Sequence, residues 1–488
     1  MATAPETPVL VGIAQVEQRI DAAGAGDEPF ALMLEAVRRA AQDAGAPALL
    51  EQAGSVRVIR GIWPYQNPAK AIAEAIGAPS AETGLAPYGG NYVQTTVNRS
   101  CLDLQAGTHE VIVIAAAECG NSQAKARRAG MDLQWGTFPG EPDLHIDAHK
   151  PMSHEAEKAL GIRAPIQVYP LFENALRHHL GEDLKTHRVR ISQLWARFSE
   201  VAAGNPDAWI QEPVSAESIR TLSASNRPVS FPYPKLMNSN SNVDMGAALI
   251  LTTERKARAL GIARDLWVYP HVGTDAHDTL FVSHRNDLYS SPAIEIAGNR
   301  ALELAGLEAT ALDHVDLYSC FPVAVQVAAR ALGLDQSRAL TVTGGLTFGG
   351  GPLNSYVMHS IARMGQLLRK DPGSTGLITA NGGFLTKHAF GIYSTQPPAQ
   401  PFQHEDLQAE VDARPARTLD ADYEGPVTVE SYTVMYDAQG PSEGLLALRT
   451  PQDARCWGKT REPDVLKAMT ESEFCGRDAQ LQAQVATF

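Results

Sequence analysis

Cys101 stands beside Ser100 in "NRSC", downstream of the glycine turn "PYGGN", and a cysteine near a helix start is the residue type that supplies a thiolate nucleophile. The other cysteines, Cys119, Cys320, Cys456 and Cys475, bring the total to five, an odd and scattered set without a C-x-x-C pair. That pattern fits free thiols and gives no zinc site. The histidines His178–His179 and those of "DLHIDAHK" lack a helical H-E-x-x-H arrangement, so no metal is expected. The open question is whether Cys101 is a nucleophile.

The surrounding chain has 488 residues, 44% hydrophobic and 20% charged, the balance of a soluble protein of two or three domains. A net charge of −14 disfavours nucleic acid or an anionic membrane as main partner, while leaving room for a local phosphate pocket. The start "MATAPETPVLVGIAQ" has no basic leader region, and runs such as "VIVIAAA" are too short to span a bilayer, which points to the cytoplasm.

Two segments repeat one order of elements. "PFALMLEAVRRAAQDAG" ends at Gly45 and "SPAIEIAGNRALELAG" at Gly306, each with helical periodicity and a glycine stop. Strand candidates "SVRVIRGIW" and "HVDLYSCF" follow, then the turns "PYGGN" and "FGGGP". Gly90 lies 90−45=45 residues beyond Gly45, and Gly351 lies 351−306=45 beyond Gly306. A helical stretch then leads to "HEVIVIAAAE" in one case and "STGLITANGG" in the other. Strands alternating with helices predict largely parallel sheets covered by helices, here duplicated.

The first half is expected over 1–255, with an inserted loop domain at 126–240 carrying the helices "ENALRHHL" and "ISQLWARFSEVAAG". In "NVDMGAALILTTERKARALG" a small-residue helix start is expected to feed an apolar strand and another helix. The second half spans 256–397, and the proline-rich stretch 398–423 has a linker's composition. Residues 424–488 alternate as short strands around the turn "DAQG", enough for a small barrel.

With "NRSCLDLQAGTHEVIVIAAAE", "NVDMGAALIL", "AGNRALELAGLEATALDHVDLYSCF", "TGGLTFGGGPLNS" and "GLITANGG" in this order, residues 8 to 395 resemble the thiolase superfamily. The β-rich tail makes the chain most similar to the type 1 thiolase-like proteins, which carry an extra OB-like C-terminal domain. The resemblance implies a duplicated α/β fold of five layers, αβαβα, with acyl-CoA or CoA as ligand and coenzyme A present as part of the substrate. It implies no other cofactor and no metal.

Thiolases place their nucleophilic cysteine seventeen residues before the glycine ending its helix, and counting back from Gly107 reaches Gly90. Cys101 falls eleven residues further on, about three turns down, and becomes a packing residue. The resemblance puts Tyr318 at the asparagine position of the Asn-Glu-Ala-Phe motif and Cys320 at its alanine, a pattern nearer the sterol-carrier branch. Gly351 takes the activating histidine's place, and Asn381 that of the acid/base cysteine.

A conventional thiolase mechanism therefore lacks its groups. Related retro-aldolases acting on CoA esters use a tyrosine of this motif as acid/base, with a second tyrosine where this chain has Gly351 and a separate OB-fold partner protein. Tyr318, His388 and Cys320 are the remaining catalytic candidates, each with a packing role as the alternative. His359, two turns into its helix, reads as a packing residue. The glycine turns at Gly89, Gly90, Gly345, Gly350, Gly351 and Gly382, with Asn381, leave backbone amides suited to a carbonyl or anion.

The resemblance implies an acyl-CoA-processing enzyme, an acyltransferase or one that makes or cleaves carbon–carbon bonds, working without an acyl-cysteine; the alternatives are a non-catalytic acyl-CoA-binding or scaffold protein, a tyrosine-based retro-aldolase on CoA esters, and a tail that docks another enzyme of lipid breakdown. Thiolases as a rule form dimers, so a homodimer stands beside a monomer.

Overall fold

The structure, a computed structural model, describes residues 4–488. The first half contributes β1 (Pro8–Glu17), β2 (Ser55–Val58), β3 (Glu82–Leu85), β4 (Val111–Cys119) and the short β5 (Leu144–His145). After the hairpin β6 (Pro228–Ser230) and β7 (Tyr233–Pro234) it adds β8 (Asp244–Thr253). The sheet order is β1-β8-β4-β2-β3-β5. β4, "VIVIAAAEC", is buried at every position, as a central strand covered on both faces must be.

The second half supplies β9 (Tyr269–His277), β10 (His314–Asp316), β11 (Thr375–Gly382), β12 (Lys387–Ser394) and β13 (Gln403–Asp406), in the order β10-β11-β12-β9-β13. Each half thus repeats one arrangement, β1-β8-β4-β2 against β9-β12-β11-β10. The helices Tyr92–Gln105 and Tyr356–Lys370 pack against strands of both sheets, and Pro29–Asp43 and Pro292–Ala305 cover the outer faces. That is the expected stack of five layers.

Three sequence expectations are corrected. The sheets are mixed rather than largely parallel: β8 runs antiparallel to both β1 and β4, and β12 to both β11 and β9. β11 and β12 are joined by a short turn, and so tight a connection permits only antiparallel pairing. "NVDMGAALIL" enters its strand directly at Asp244, with no helix before it. The stretch 398–423 is not a free linker, because β13 pairs in parallel with β9 and a helix Gln408–Asp412 follows. Of the prolines that gave it linker character, Pro398 and Pro401 lie ahead of β13 and Pro415 follows the helix.

The tail forms β14 (Gly425–Asp437), β15 (Gly440–Arg449), β16 (Arg455–Thr460), β17 (Asp478–Gln482) and β18 (Val485–Thr487). The pairings β14–β15–β16–β18–β17–β14 close into a five-stranded ring, with a helix Pro463–Glu471 between β16 and β17. This barrel is tightly attached. Asn174 Nδ2 donates to Tyr432 O at 2.8 Å, Thr433 Oγ1 to Phe231 O at 2.9 Å, and Arg455 Nη1 to the carbonyls of Val282, Ser283 and Arg285.

Candidate active site

A cavity of about 430 Å3 opens between the two halves and the inserted domain. Gly89, Gly90, Tyr318, Cys320, Gly351, Asn381 and Gly382 all line it, so the sequence motifs converge. Gly345 and Gly350 do not line it. Gly345 lies in a buried turn, its amide bonded to Thr341 and Thr343 hydroxyls, and Gly350 sits against Met245. Not every glycine amide is open either, since Gly351 N donates to Asn240 O at 3.0 Å.

Gly90 ends the turn before the Tyr92–Gln105 helix. A Cβ added there would lie 2.7 Å from Tyr318 Oη and 2.6 Å from Asn381 O. The tyrosine hydroxyl therefore fills the space a side chain at this position would need. Tyr318 is fixed by its backbone amide donating to Thr379 Oγ1 at 2.8 Å and by edge packing on Tyr356 at 5.4 Å. Its hydroxyl has no hydrogen-bond partner in the protein among the described residues. Burial, with Cys320 and Tyr356 nearby, raises its pKa well above that of free tyrosine, so it is a proton donor at neutral pH.

Burial likewise pushes the Cys320 thiol up to about 12, which keeps it protonated and excludes a resting thiolate. Asn381 Nδ2 donates to Tyr169 Oη at 3.0 Å, while Asn381 Oδ1 is buried without a partner. Tyr169 comes from the inserted domain, on the helix Pro165–His179. Its hydroxyl donates to Gly383 O at 3.3 Å and accepts from Leu385 N at 2.9 Å, and its ring stacks on Phe321 at 4.5 Å.

His388 does not face this cavity. Along β12, Phe390 packs against Gly298 of the outer helix, and His388 two residues before it shares that face. There its Nε2 lies 3.7 Å from Asp278 Oδ2 and 3.2 Å from Leu385 O, in a buried cluster with Arg285. A direct role as base toward a ligand in the cavity is thereby removed. His359 is buried with Nδ1 at 2.8 Å from Gln15 Oε1, and burial pushes it down to about 3. Cys101 is fully buried in the core, its thiol raised by burial.

The cavity's mouth is apolar: Ile62, Tyr88, Met152, Ile166 and Leu353 are all exposed large hydrophobics that line it. No Asp, Glu, His, Lys or Arg is among the lining residues. Leu353 holds a left-handed backbone, φ 45°, with its amide donating to Gly351 O at 2.7 Å, strain of the kind concentrated at ligand sites. Ile62 is fixed from behind by Glu118, whose Oε1 accepts the Ile62 amide at 2.9 Å.

Burial pushes the Glu118 carboxyl up to about 8. A carboxyl whose folded pKa is raised loses stability for the fold as pH climbs from the unfolded value, roughly 4.3, toward the folded one. Glu118→Gln is expected to remove that loss, raising stability above pH 8 by about 5 kcal/mol and leaving acid stability nearly unchanged. Thermal melts of both proteins from pH 5 to 9 check this. Parallel pH profiles would refute the buried titration.

Sequence reading missed Tyr169 and Glu118. Tyr169 sits in "IQVYP" on an amphipathic helix, with nothing in its spacing to mark it. Glu118 is the last residue but one of an apolar strand, where a lone carboxylate signals burial but not what it holds.

Comparison with known proteins accounts for this geometry. Residues 406–484 match the family model described as the thiolase-like protein type 1 additional C-terminal domain. Over 100% of both chains, at 31% identity and TM-score 0.85, the structure superposes on a monomeric SCP2-thiolase-like protein type 1 from Mycobacterium smegmatis. The chain belongs to the type 1 thiolase-like proteins. An Ltp2–ChsH2(DUF35) aldolase shares the fold of this type 1 thiolase-like protein at 20% identity and TM-score 0.59, covering 79% of this chain and 98% of that one. The curated acetyl-CoA acetyltransferase 1 of Arabidopsis thaliana is 29% identical over 148 residues, 30% of this chain. That match spans a third of the relative's length, 33%. No helix of the described residues is long and apolar enough to cross a membrane.

Proposed function

We propose that this type 1 thiolase-like protein binds the acyl-thioester end of an acyl-CoA in the central cavity and polarises its carbonyl for carbon–carbon bond chemistry, without an acyl-enzyme. The observation that carries this reading is the Tyr318 hydroxyl, unpartnered, in the space beside Gly90 that a nucleophile's side chain would occupy. A protonated hydroxyl there can donate to a thioester oxygen and stabilise the negative charge that develops when the neighbouring carbon gains or loses a substituent. The apolar mouth suits a hydrocarbon acyl group, and the absence of lining cations leaves the phosphates of coenzyme A outside the cavity. The aldolase with this fold lends support to chemistry of that kind.

A second reading, binding without turnover, is favoured by the same lining, which holds no ionisable base beside tyrosine and thiol. Exchange of the acyl-CoA's α-protons for deuterium, followed by NMR, separates the two. In the catalytic reading the protein accelerates exchange and Tyr318→Phe lowers the rate by about 100-fold or more with little change in acyl-CoA affinity. Binding without any exchange or turnover would leave the scaffold reading standing, and no binding would sink both.

Cytoplasmic lipid metabolism is the setting that fits an acidic chain of this kind. The protein acts in this reading as a monomer. β5 pairs with β3 at Gly84 and Leu85 and so covers part of the edge that β3 would otherwise offer to a second copy, and the M. smegmatis relative is described as monomeric.

A further inference from the structure

A second pocket, of about 420 Å3, lies on the other side of the Gly89–Gly90 turn, between the Tyr92–Gln105 helix, β9, β13 and the loop after β5. Lys387 lines it. Its side chain leaves β12 on the face opposite His388, toward Tyr92, whose ring centre lies 5.0 Å from Nζ. The residue is 4% exposed, and Nζ donates to one protein group, Tyr88 O, at 2.9 Å. No carboxylate pairs with it among the described residues. Asp147 is taken by Lys150 and by Tyr92 Oη, and Asp275 by Thr95, Asn98 and His404. Beside the same turn, Asn91 Oδ1 is buried without a hydrogen-bond partner.

We propose that Lys387 is a carbonyl-reactive amine and that this pocket is a second site, which takes small polar aldehydes or ketones as an imine. An amine becomes nucleophilic when it is desolvated and set near another cation, because both disfavour its ammonium form. Lys387 meets both conditions: burial, then the nearby Lys150, push it down to about 8, against a smaller opposing pull from Asp147. A measurable fraction is therefore neutral at pH 7, where exposed lysines are almost wholly charged.

The reaction balances without an oxidant. The amine nitrogen adds to the carbonyl carbon, a nitrogen proton moves to the oxygen, and the resulting hydroxyl leaves as water on accepting a second proton. Lys150, which lines the same pocket beside Asp147, is assigned as the donor of that proton. The product is a protonated C=N bond to Nζ, in which the nitrogen keeps its second proton and carries the charge, and water reverses it.

Full-length protein incubated at pH 7 with acetaldehyde and sodium cyanoborohydride, which reduces the imine to a stable secondary amine, tests the proposal by peptide-resolved mass spectrometry. Lys387 is expected to be alkylated at least 10-fold faster than exposed Lys185 or Lys467, and Lys150→Gln is expected to slow that labelling several-fold. A Lys387 left unlabelled, or labelled no faster than the exposed lysines, overturns it. The readout resolves each lysine in the wild-type protein, so it stands even if a Lys387→Arg control fails to fold. It is also independent of whether the central cavity turns over a thioester.

Discussion

A chain ended at residue 397 is expected to be recovered unfolded or aggregated, without acyl-CoA binding. The tail's contacts are buried supports rather than surface docking. Arg177, 1% exposed, carries its charge against Glu473 of the tail in a two-pronged pair, with Nη2 at 2.8 Å from Oε1. Removing the tail strands that guanidinium, and an unpaired buried charge alone costs roughly 3–5 kcal/mol. The same cut takes away Arg455, which holds three carbonyls of the 282–285 turn, and Tyr432, which packs on Phe231 at 6.0 Å. Those losses together are comparable with the whole stability of an ordinary domain, about 5–15 kcal/mol. Soluble yield and a thermal melt of the shortened chain measure this. A soluble 1–397 chain with wild-type melting behaviour would show the tail to be an independent module, the reading in which it docks another enzyme. Glu473→Gln, a milder change, is expected to cost about 2 kcal/mol and keep the fold.

The second large effect concerns Gly90. Restoring a cysteine by Gly90→Cys puts a Cβ within 2.7 Å of Tyr318 Oη and 2.6 Å of a carbonyl oxygen, closer than carbon tolerates. The single variant is expected to lose about 1–3 kcal/mol of stability and to show no acyl-cysteine with acyl-CoA. In Gly90→Cys combined with Tyr318→Ala the hydroxyl contact is gone, and the melting temperature should recover part of the loss. Equal melting temperatures for the single and double variants would mean that the Asn381 carbonyl, not the tyrosine, sets the limit. An acyl-cysteine in the single variant would contradict the account of Tyr318 given above.

The duplication was readable because helix stops and motif turns are spaced by covalent chain length, and glycines at Gly45, Gly90, Gly306 and Gly351 mark both. Strands that carry no such punctuation were harder. β9, "YPHVGTDAH", has a proline, a glycine and polar residues that hide its alternation, though tertiary pairing on both sides makes it a central strand. The convergence of Gly90, Tyr318, Cys320, Gly351 and Asn381 was legible from the resemblance to thiolases, whose motif loops these positions match. The side of the sheet on which His388 falls was not, since alternation says that neighbours part but not which one meets the ligand. Lys387, one residue away, proved to face the interhelical layer. Tyr169 was invisible because its partners are brought to it by the insertion's fold, at a sequence distance no local pattern spans.

The β4–β8 hairpin of the first half and the β11–β12 hairpin of the second occupy corresponding places in the duplicated order. In one, the turn has been replaced by the whole inserted domain; in the other it remains a few residues, Gly383 to Thr386. Tyr169 joins the two, since it reaches from the enlarged turn to the Gly383 carbonyl and Leu385 amide of the small one. The central cavity is therefore enclosed between two corresponding bends, one enlarged into a ceiling and the other kept short as the floor. In the proposed function, a change in the length of either bend would alter the height of that room and so the size of acyl group it takes, while the sheets beneath stay fixed.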